Sequence, residues 1–166
     1  MRKKDGAFIT LFKDKNRDQV FLVFRSDYPI WVQLGGGVES GETPEEAVVR
    51  ETFEETGFKI RIVRKVGVYE NIDPKSGTTE NIVYLYEGRF ISGTFKPEFP
   101  ECKGQWFNIN KLPKDITDKT KVKIIDTINS KGEVFSKKSH PVSVIDNLHL
   151  LVLHPLSALK YFFRPR

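Results

Sequence analysis

The stretch "GGGVESGETPEEAVVRETFEETGF", Gly35 to Phe58, joins a run of glycines to a helix with both ends marked. Thr43 is a suitable N-cap, Pro44 stands at the first helical position, and Glu46 follows three residues after the cap. That order satisfies the unpaired N–H groups with which a helix begins. Gly57 is placed to end the helix, so the spacing predicts a helical segment from about Thr43 to Thr56. Within it Glu51, Glu54 and Glu55 share one face, with Glu51 a turn below the pair. Like charges at this spacing repel one another. Either solvent screens them, or something positive lies among them. Arg50, four residues before Glu54, can hold that side chain by an ion pair. Ala47, Val48 and Phe53 offer an apolar side for docking on a sheet.

An acidic helix face is commonplace and means little alone. Carboxylate oxygens at this spacing nevertheless suit Mg2+ or Mn2+, hard cations that keep waters for a phosphate to displace. The preceding loop sharpens the reading, because Gly35, Gly36, Gly37 and Gly41 come directly before the helix. Glycines let backbone approach a phosphate or a metal closely, and a helix N-terminus favours anions. Neither element is specific, but their spacing is.

Gly36, Glu42, Arg50-Glu51, Glu54-Glu55 and Gly57-Phe58 follow at intervals that resemble the box of the Nudix hydrolases, G-x5-E-x7-R-E-U-x-E-E-x-G-U, with U a bulky apolar residue. Every fixed Gly, Glu and Arg is present. Thr52 departs from the first U position, and Leu34 stands where many members have proline. The resemblance covers Gly36 to Phe58, and the later "GQWFNINKLP" also resembles the family. It implies an α+β fold, an α/β/α sandwich around a mixed sheet, and a Mg2+- or Mn2+-dependent pyrophosphohydrolase. Glu54 and Glu55 would be the principal metal ligands, Glu51 a further ligand or the base for water, and the Gly35 carbonyl part of the first shell. Arg50 would orient a glutamate, and Glu42 would brace the loop against its helix, with Gly57 structural. Gly36, Gly37 and Arg25 are the candidate substrate contacts. A further catalytic carboxylate is expected from "KPEFPECKGQW", where Glu101 is chosen over Glu98, with Glu80 as a third option.

The rest of the chain frames this box. Its 166 residues predict one domain with a real core. One cysteine, Cys102, leaves no internal disulfide framework and no cysteine-rich zinc site. No signal peptide is legible at the N-terminus, and no stretch approaches the roughly 20 apolar residues of a membrane span. A cytoplasmic protein is expected. The net charge is +5, and Lys and Arg are scattered, with clusters only at Arg2 to Lys4, around Lys119 to Lys123 and at Lys137-Lys138, which reads as solvated surface rather than a nucleic-acid groove.

"GAFITLF" and "QVFLVFR" read as a hairpin, "YPIWVQL" as a third strand running into the glycines, and "FKIRIVRKVGVY" and "ENIVYLYEGRF" as strands joined by the turn "DPKSGTT". "GQWFNI" reads as another strand and "KLPKDITDKTKVKIIDTI" as a turn and a helix. The segment 140–166 is an apolar extension broken at His154-Pro155, expected to pack on the domain or on a partner such as a second copy.

The family cleaves a nucleoside diphosphate linked to another group, and a nucleoside triphosphate or nucleotide sugar is the general expectation here. Dinucleoside polyphosphates or a capped RNA end stand behind it, as does a non-catalytic, nucleotide-sensing domain. Domains of that last kind commonly lack box glutamates, and this chain has all of them. Aromatics able to stack a base include Phe8, Phe24, Tyr28, Trp31, Tyr69 and Tyr84.

Overall fold

The computed structural model describes residues 3–25 and 30–139. The readings placed on Tyr28 and on the extension at 140–166 therefore lie outside the described residues. Ten elements follow in the order β1 (Gly6–Phe12), β2 (Gln19–Arg25), β3 (Ile30–Val32), β4 (Leu34–Gly37), α1 (Pro44–Thr56), β5 (Lys59–Ile72), β6 (Thr79–Ser92), β7 (Lys103–Asn108), α2 (Asp118–Asn129) and β8 (Phe135–Ser139). The strands form one mixed sheet ordered β3-β2-β1-β6-β5-β8, with β4 also on β1 and β7 also on β2. β1 runs parallel to β6 and β5 parallel to β8, while the remaining pairs are antiparallel.

β1 is buried on both faces, which explains its nearly continuous apolar run. Ala7, Ile9 and Leu11 pack with Ala47 and Val48 of α1 on one face. Phe12 joins Ile124 of α2 on the other, where the Thr10 and Thr127 hydroxyls also meet at 2.8 Å. One helix thus covers each face, giving the α+β sandwich.

The opening strands differ from the simple hairpin expected. β1 and β2 pair only at Phe12 and Val20, and then part. Into the gap comes β4, whose residues Leu34 to Gly37 pair with Ile9 to Gly6. The apolar run "YPIWVQL" is accordingly broken at Gln33, and the glycines themselves are a strand. Gly35 is required there, because its φ of +127° disfavours any side chain and a Cβ would lie 2.7 Å from the Phe8 Cα. Bare backbone lets β4 press against β1.

α1 docks through smaller residues than expected. Ala47, Val48, Thr52 and Thr56 are its buried positions, while Phe53 is 54% exposed and takes no part. Thr52 fits under the helix because its hydroxyl donates to the Val48 carbonyl at 2.7 Å, leaving no polar atom unsatisfied. With Val48 as the one large aliphatic group buried, apolar contact contributes only about 1.5–3 kcal/mol from that side chain. The cap does the rest of the positioning. Thr43 accepts from the Glu46 N–H while Glu46 accepts from the Thr43 N–H, and Gly57 closes the helix in the left-handed conformation.

The C-terminal end of α2 is fastened to the other face by charge. Glu87, 3% exposed, takes Arg64 at 2.8 Å and Arg17 at 3.2 Å. Both guanidiniums also donate to the Thr127 carbonyl, at 3.0 and 2.6 Å, and Arg64 reaches the Ser130 hydroxyl at 2.8 Å. Cations at carbonyls of a helix end favour its dipole. β8 was not foreseen in the sequence. Phe135 fits a notch left by Gly67, where a Cβ would fall 2.5 Å from its ring, and meets Tyr69 edge-on at 5.3 Å.

Candidate active site

The glutamates of α1 are divided between two environments. Arg50 is the hub of the first. Its Nε and Nη2 donate to the two Glu42 oxygens at 3.2 and 2.7 Å, and Nη2 also donates to the Gly37 carbonyl at 3.1 Å. Its Nη1 donates to Glu51 and Glu54, both at 3.0 Å. The positive group among the carboxylates is therefore, in part, this guanidinium. The hydrogen bond between Arg50 and Glu42 is the chief reason that Glu42 raises the Arg50 pKa further above its ordinary value and that Arg50 holds Glu42 below the usual carboxylate range. Glu42 also accepts from the Glu39 N–H at 2.6 Å, so one planar group ties the loop to the helix.

Glu55 stands apart from Arg50. Its Oε2 accepts from the Gly35 N–H at 3.0 Å, linking α1 to β4. Burial pushes its carboxyl up to about 8 in the metal-free protein; the negative charges of Glu51 and Glu98 add to this, while the Gly35 N–H and Arg25 oppose it. Gly36 brings backbone close to Glu51, and a Cβ there would meet both carboxylate oxygens at 2.5 Å. A side chain at position 36 would displace the Glu51 carboxylate from the place it takes against the glycine strand.

Glu55 opens onto a pocket of about 370 Å3 lined also by Arg25, Glu98, Glu101 and Cys102. Its apolar wall includes Val23 and Val32, which are partners across β2 and β3. The structure brings Arg25 and both loop glutamates to Glu55. Glu80 is elsewhere, at the start of β6, paired with Lys3 at 2.6 Å. Val23, Val32 and Cys102 were missed in the sequence, although Cys102 follows Glu101 directly.

The donor set fits a hard divalent cation. It is all oxygen, and Glu55 is a desolvated carboxyl whose negative neighbours favour a compensating charge. Among the described residues no three acidic, histidine or cysteine side chains converge into a closed cage. Mg2+ does not need one, since it is commonly held by one or two carboxylates and several waters.

Comparison with known proteins agrees with this geometry. The NUDIX domain family model matches residues 2–128. A Bacillus subtilis protein named "Putative 8-oxo-dGTP diphosphatase" is 34% identical over 130 residues, covering 78% of this chain and 83% of that protein. Human diphosphoinositol polyphosphate phosphohydrolase 2 is 42% identical over 85 residues, 51% of this chain, and the match spans only 47% of the human protein. Among solved structures, an ADP-ribose pyrophosphatase from Streptococcus suis superposes with a TM-score of 0.61 at 19% identity, over 82% of this chain and 98% of that one. Among the described residues no helix is long and apolar enough to cross a membrane. A glycine strand pressed on an acidic helix, in a chain matched by the family model over most of its length, makes this protein a member of the NUDIX family and a pyrophosphohydrolase of that family.

Proposed function

We propose that the pocket at Glu55 hydrolyses a phosphoanhydride bond of a nucleoside diphosphate derivative, of the nucleoside triphosphate or nucleotide-sugar type, with Mg2+ or Mn2+ as cofactor. The observation that carries this reading is Glu55 itself, a carboxyl held by the Gly35 N–H, surrounded by Glu51 and Glu98, and raised to about 8 by burial. Glu51, Glu54, Glu55 and the Gly35 carbonyl are the candidate ligands, of which one or two carboxylates with waters would hold the cation. Bound there, it would offset phosphate charge and make a coordinated water more acidic.

The remaining work falls to the chain. Arg50 fixes the directions of Glu51 and Glu54 from one guanidinium and acts as a positioning residue, not a substrate contact. Glu42 holds Arg50 in turn. Arg25, on the pocket wall, is suited to a substrate phosphate, with the Gly36 and Gly37 backbone approaching from the other side. Glu98 and Glu101 line the same pocket, and Glu98 is the one whose charge reaches Glu55. We assign the proton taken from the attacking water to Glu98, with Glu101 beside it. The named activity of the Bacillus subtilis relative supports a nucleoside triphosphate as the first substrate to try.

The test is phosphate and pyrophosphate release from nucleoside triphosphates, ADP-ribose, UDP-sugars and dinucleoside polyphosphates, with Mg2+, with Mn2+ and with chelator. Metal-dependent release from at least one compound is expected. Strong nucleotide binding without turnover under every metal condition would instead make the pocket a sensor.

A further inference from the structure

The pocket at Glu55 has one aromatic side chain in its lining, Phe99, and that residue is 54% exposed. Single exposed apolar residues are ordinary and need no explanation. Phe99 differs in its place: of the large apolar side chains exposed among the described residues, it is the one that lines this pocket. Its loop is fastened on both sides of it. The Lys96 N–H donates to the Thr56 carbonyl of α1 at 2.9 Å, and the Cys102 N–H donates to the Phe99 carbonyl at 3.0 Å, closing a turn directly before β7. Phe95, four residues earlier, packs in the core, with its ring 5.6 Å from Phe21 and 6.2 Å from Phe58. The same loop thus buries one ring and presents the next to the pocket.

Val23 pairs with Val32 of β3 on one side and with Gly104 of β7 on the other. The turn that carries Phe99 leads into β7, so Phe99 and Val32 reach the pocket from opposite sides of β2. The lining is therefore an apolar slot, phenyl and valine, beside the charged groups Arg25, Glu55 and Glu98. Its volume of about 370 Å3 falls within the roughly 300–1,000 Å3 of small-molecule sites. The base-stacking candidates named from the sequence do not supply this surface. Phe24 and Trp31 lie 5.3 Å apart, and Trp31 meets Phe107 at 4.7 Å within the cluster under α2. Tyr69 is engaged with Asp126, and neither Phe8 nor Tyr84 lines the pocket. Charge narrows the ligand further. One guanidinium stands among three carboxylates, which suits a single phosphate chain with its cation and an uncharged ring.

Resting on the reading of the pocket given above, we propose that Phe99 stacks on the nucleobase of the substrate, with Val23 and Val32 completing the slot, and so selects nucleotides over phosphate compounds that lack a planar ring. Every base has a π-face, so stacking on a phenyl ring tolerates all of them. Phe99 is then a binding residue that sets the class of substrate and does not itself tell one base from another.

The experiment uses the full chain with Mg2+ and titrates AMP, GMP, CMP, UMP and ribose 5-phosphate by calorimetry. None of these probes has a phosphoanhydride bond to cleave, and ribose 5-phosphate differs from the others in lacking the base. Wild type should bind the best nucleotide at least about tenfold more tightly than ribose 5-phosphate, in keeping with the strength of base–aromatic stacking. Phe99→Leu keeps apolar bulk and removes the π-face, whereas Phe99→Tyr keeps the ring. The leucine variant should weaken nucleotide binding about tenfold and leave ribose 5-phosphate unchanged; the tyrosine variant should stay close to wild type. Equal affinity of wild type for nucleotides and ribose 5-phosphate overturns the proposal. So does a leucine variant that binds nucleotides as wild type does, or one that loses all five probes alike, which would make Phe99 a support of its loop only. A tyrosine variant no tighter than the leucine one also overturns it. The hydrolytic reading fails on a separate measurement, the absence of metal-dependent phosphate or pyrophosphate release by wild type, so the two are distinguishable.

Discussion

Gly35→Ala is the sharpest perturbation of the architecture, because position 35 joins the sheet, the glycine strand and Glu55. A Cβ there meets the Ala7 carbonyl and lies 2.7 Å from the Phe8 Cα, both of them backbone atoms that cannot swing aside. The φ of +127° adds strain for any residue with a side chain. Residues held in sparsely populated backbone conformations cost about 1–3 kcal/mol, and overpacking typically costs about 1–3 kcal/mol more. A loss on the order of 3 kcal/mol follows. It is a large part of the roughly 5–15 kcal/mol that holds an ordinary domain together. Any relaxation must separate β4 from β1, which moves the N–H that holds Glu55 at 3.0 Å. Turnover should therefore fall by more than the unfolded fraction explains. Urea unfolding followed by tryptophan fluorescence, with turnover measured well below the transition, separates the two effects. Gly41→Ala is the control, since its φ is +89° but a Cβ there would meet nothing within 4 Å. It should show strain without the clash. If Gly35→Ala kept both the midpoint and the turnover of wild type, the strand reading of the glycines would be wrong.

Arg50→Lys replaces a planar group that touches Glu42, Gly37, Glu51 and Glu54 with one ammonium. We expect kcat to fall on the order of 10–100-fold, with a smaller change in KM, because catalytic groups are misplaced rather than binding lost; an effect confined to KM would make Arg50 a phosphate contact. Glu87→Gln leaves Arg17 and Arg64 without their shared anion, and its cost is discounted for their partial exposure to about 2–3 kcal/mol. In urea that lowers the midpoint by roughly 1–2 M, and an unchanged midpoint would mean α2 is held by apolar contact alone. In the ligand-free protein Lys123 titrates at about 8 folded, against an ordinary 10.5, so below pH 8 the folded state bears the full cost of the buried charge. Between about pH 8 and 10.5 the folded protein releases this proton first. Wild-type stability should then rise relative to Lys123→Met. A difference independent of pH would mean that the amine is fully solvated.

The helix and its ligand pattern were legible because everything that makes them is local. The Thr43 cap, Pro44, the i,i+4 spacing of Arg50 and Glu54, and the Gly57 stop all act within one turn or two of helix. β4 was not, since glycines have no strand propensity and its existence depends on pairing with β1, about thirty residues earlier. β8 was hidden in the same way. Lys137 and Lys138 read as surface, and what makes the strand is parallel pairing with β5 and the fit of Phe135 against Gly67. Phe53 misled because a large apolar residue suggests burial, while α1 buries the smaller Ala47, Val48, Thr52 and Thr56. Glu98 and Glu101 could be named from their loop. That both line one pocket with Glu55 could not be read there, because it depends on where the loop folds back over β2 and β3.

The most direct test of the metal-centred account is turnover of Glu54→Gln at saturating Mg2+, on whichever nucleotide wild type cleaves best. Glu54 is half exposed and, among the described residues, held by Arg50 alone, so the substitution keeps shape and should leave folding intact. Removing one proposed ligand should lower kcat at least about 100-fold, in keeping with the several kcal/mol a catalytic metal contributes. Turnover equal to wild type, with the protein folded and the cation bound as tightly, would contradict the assignment of the acidic helix face as the catalytic centre.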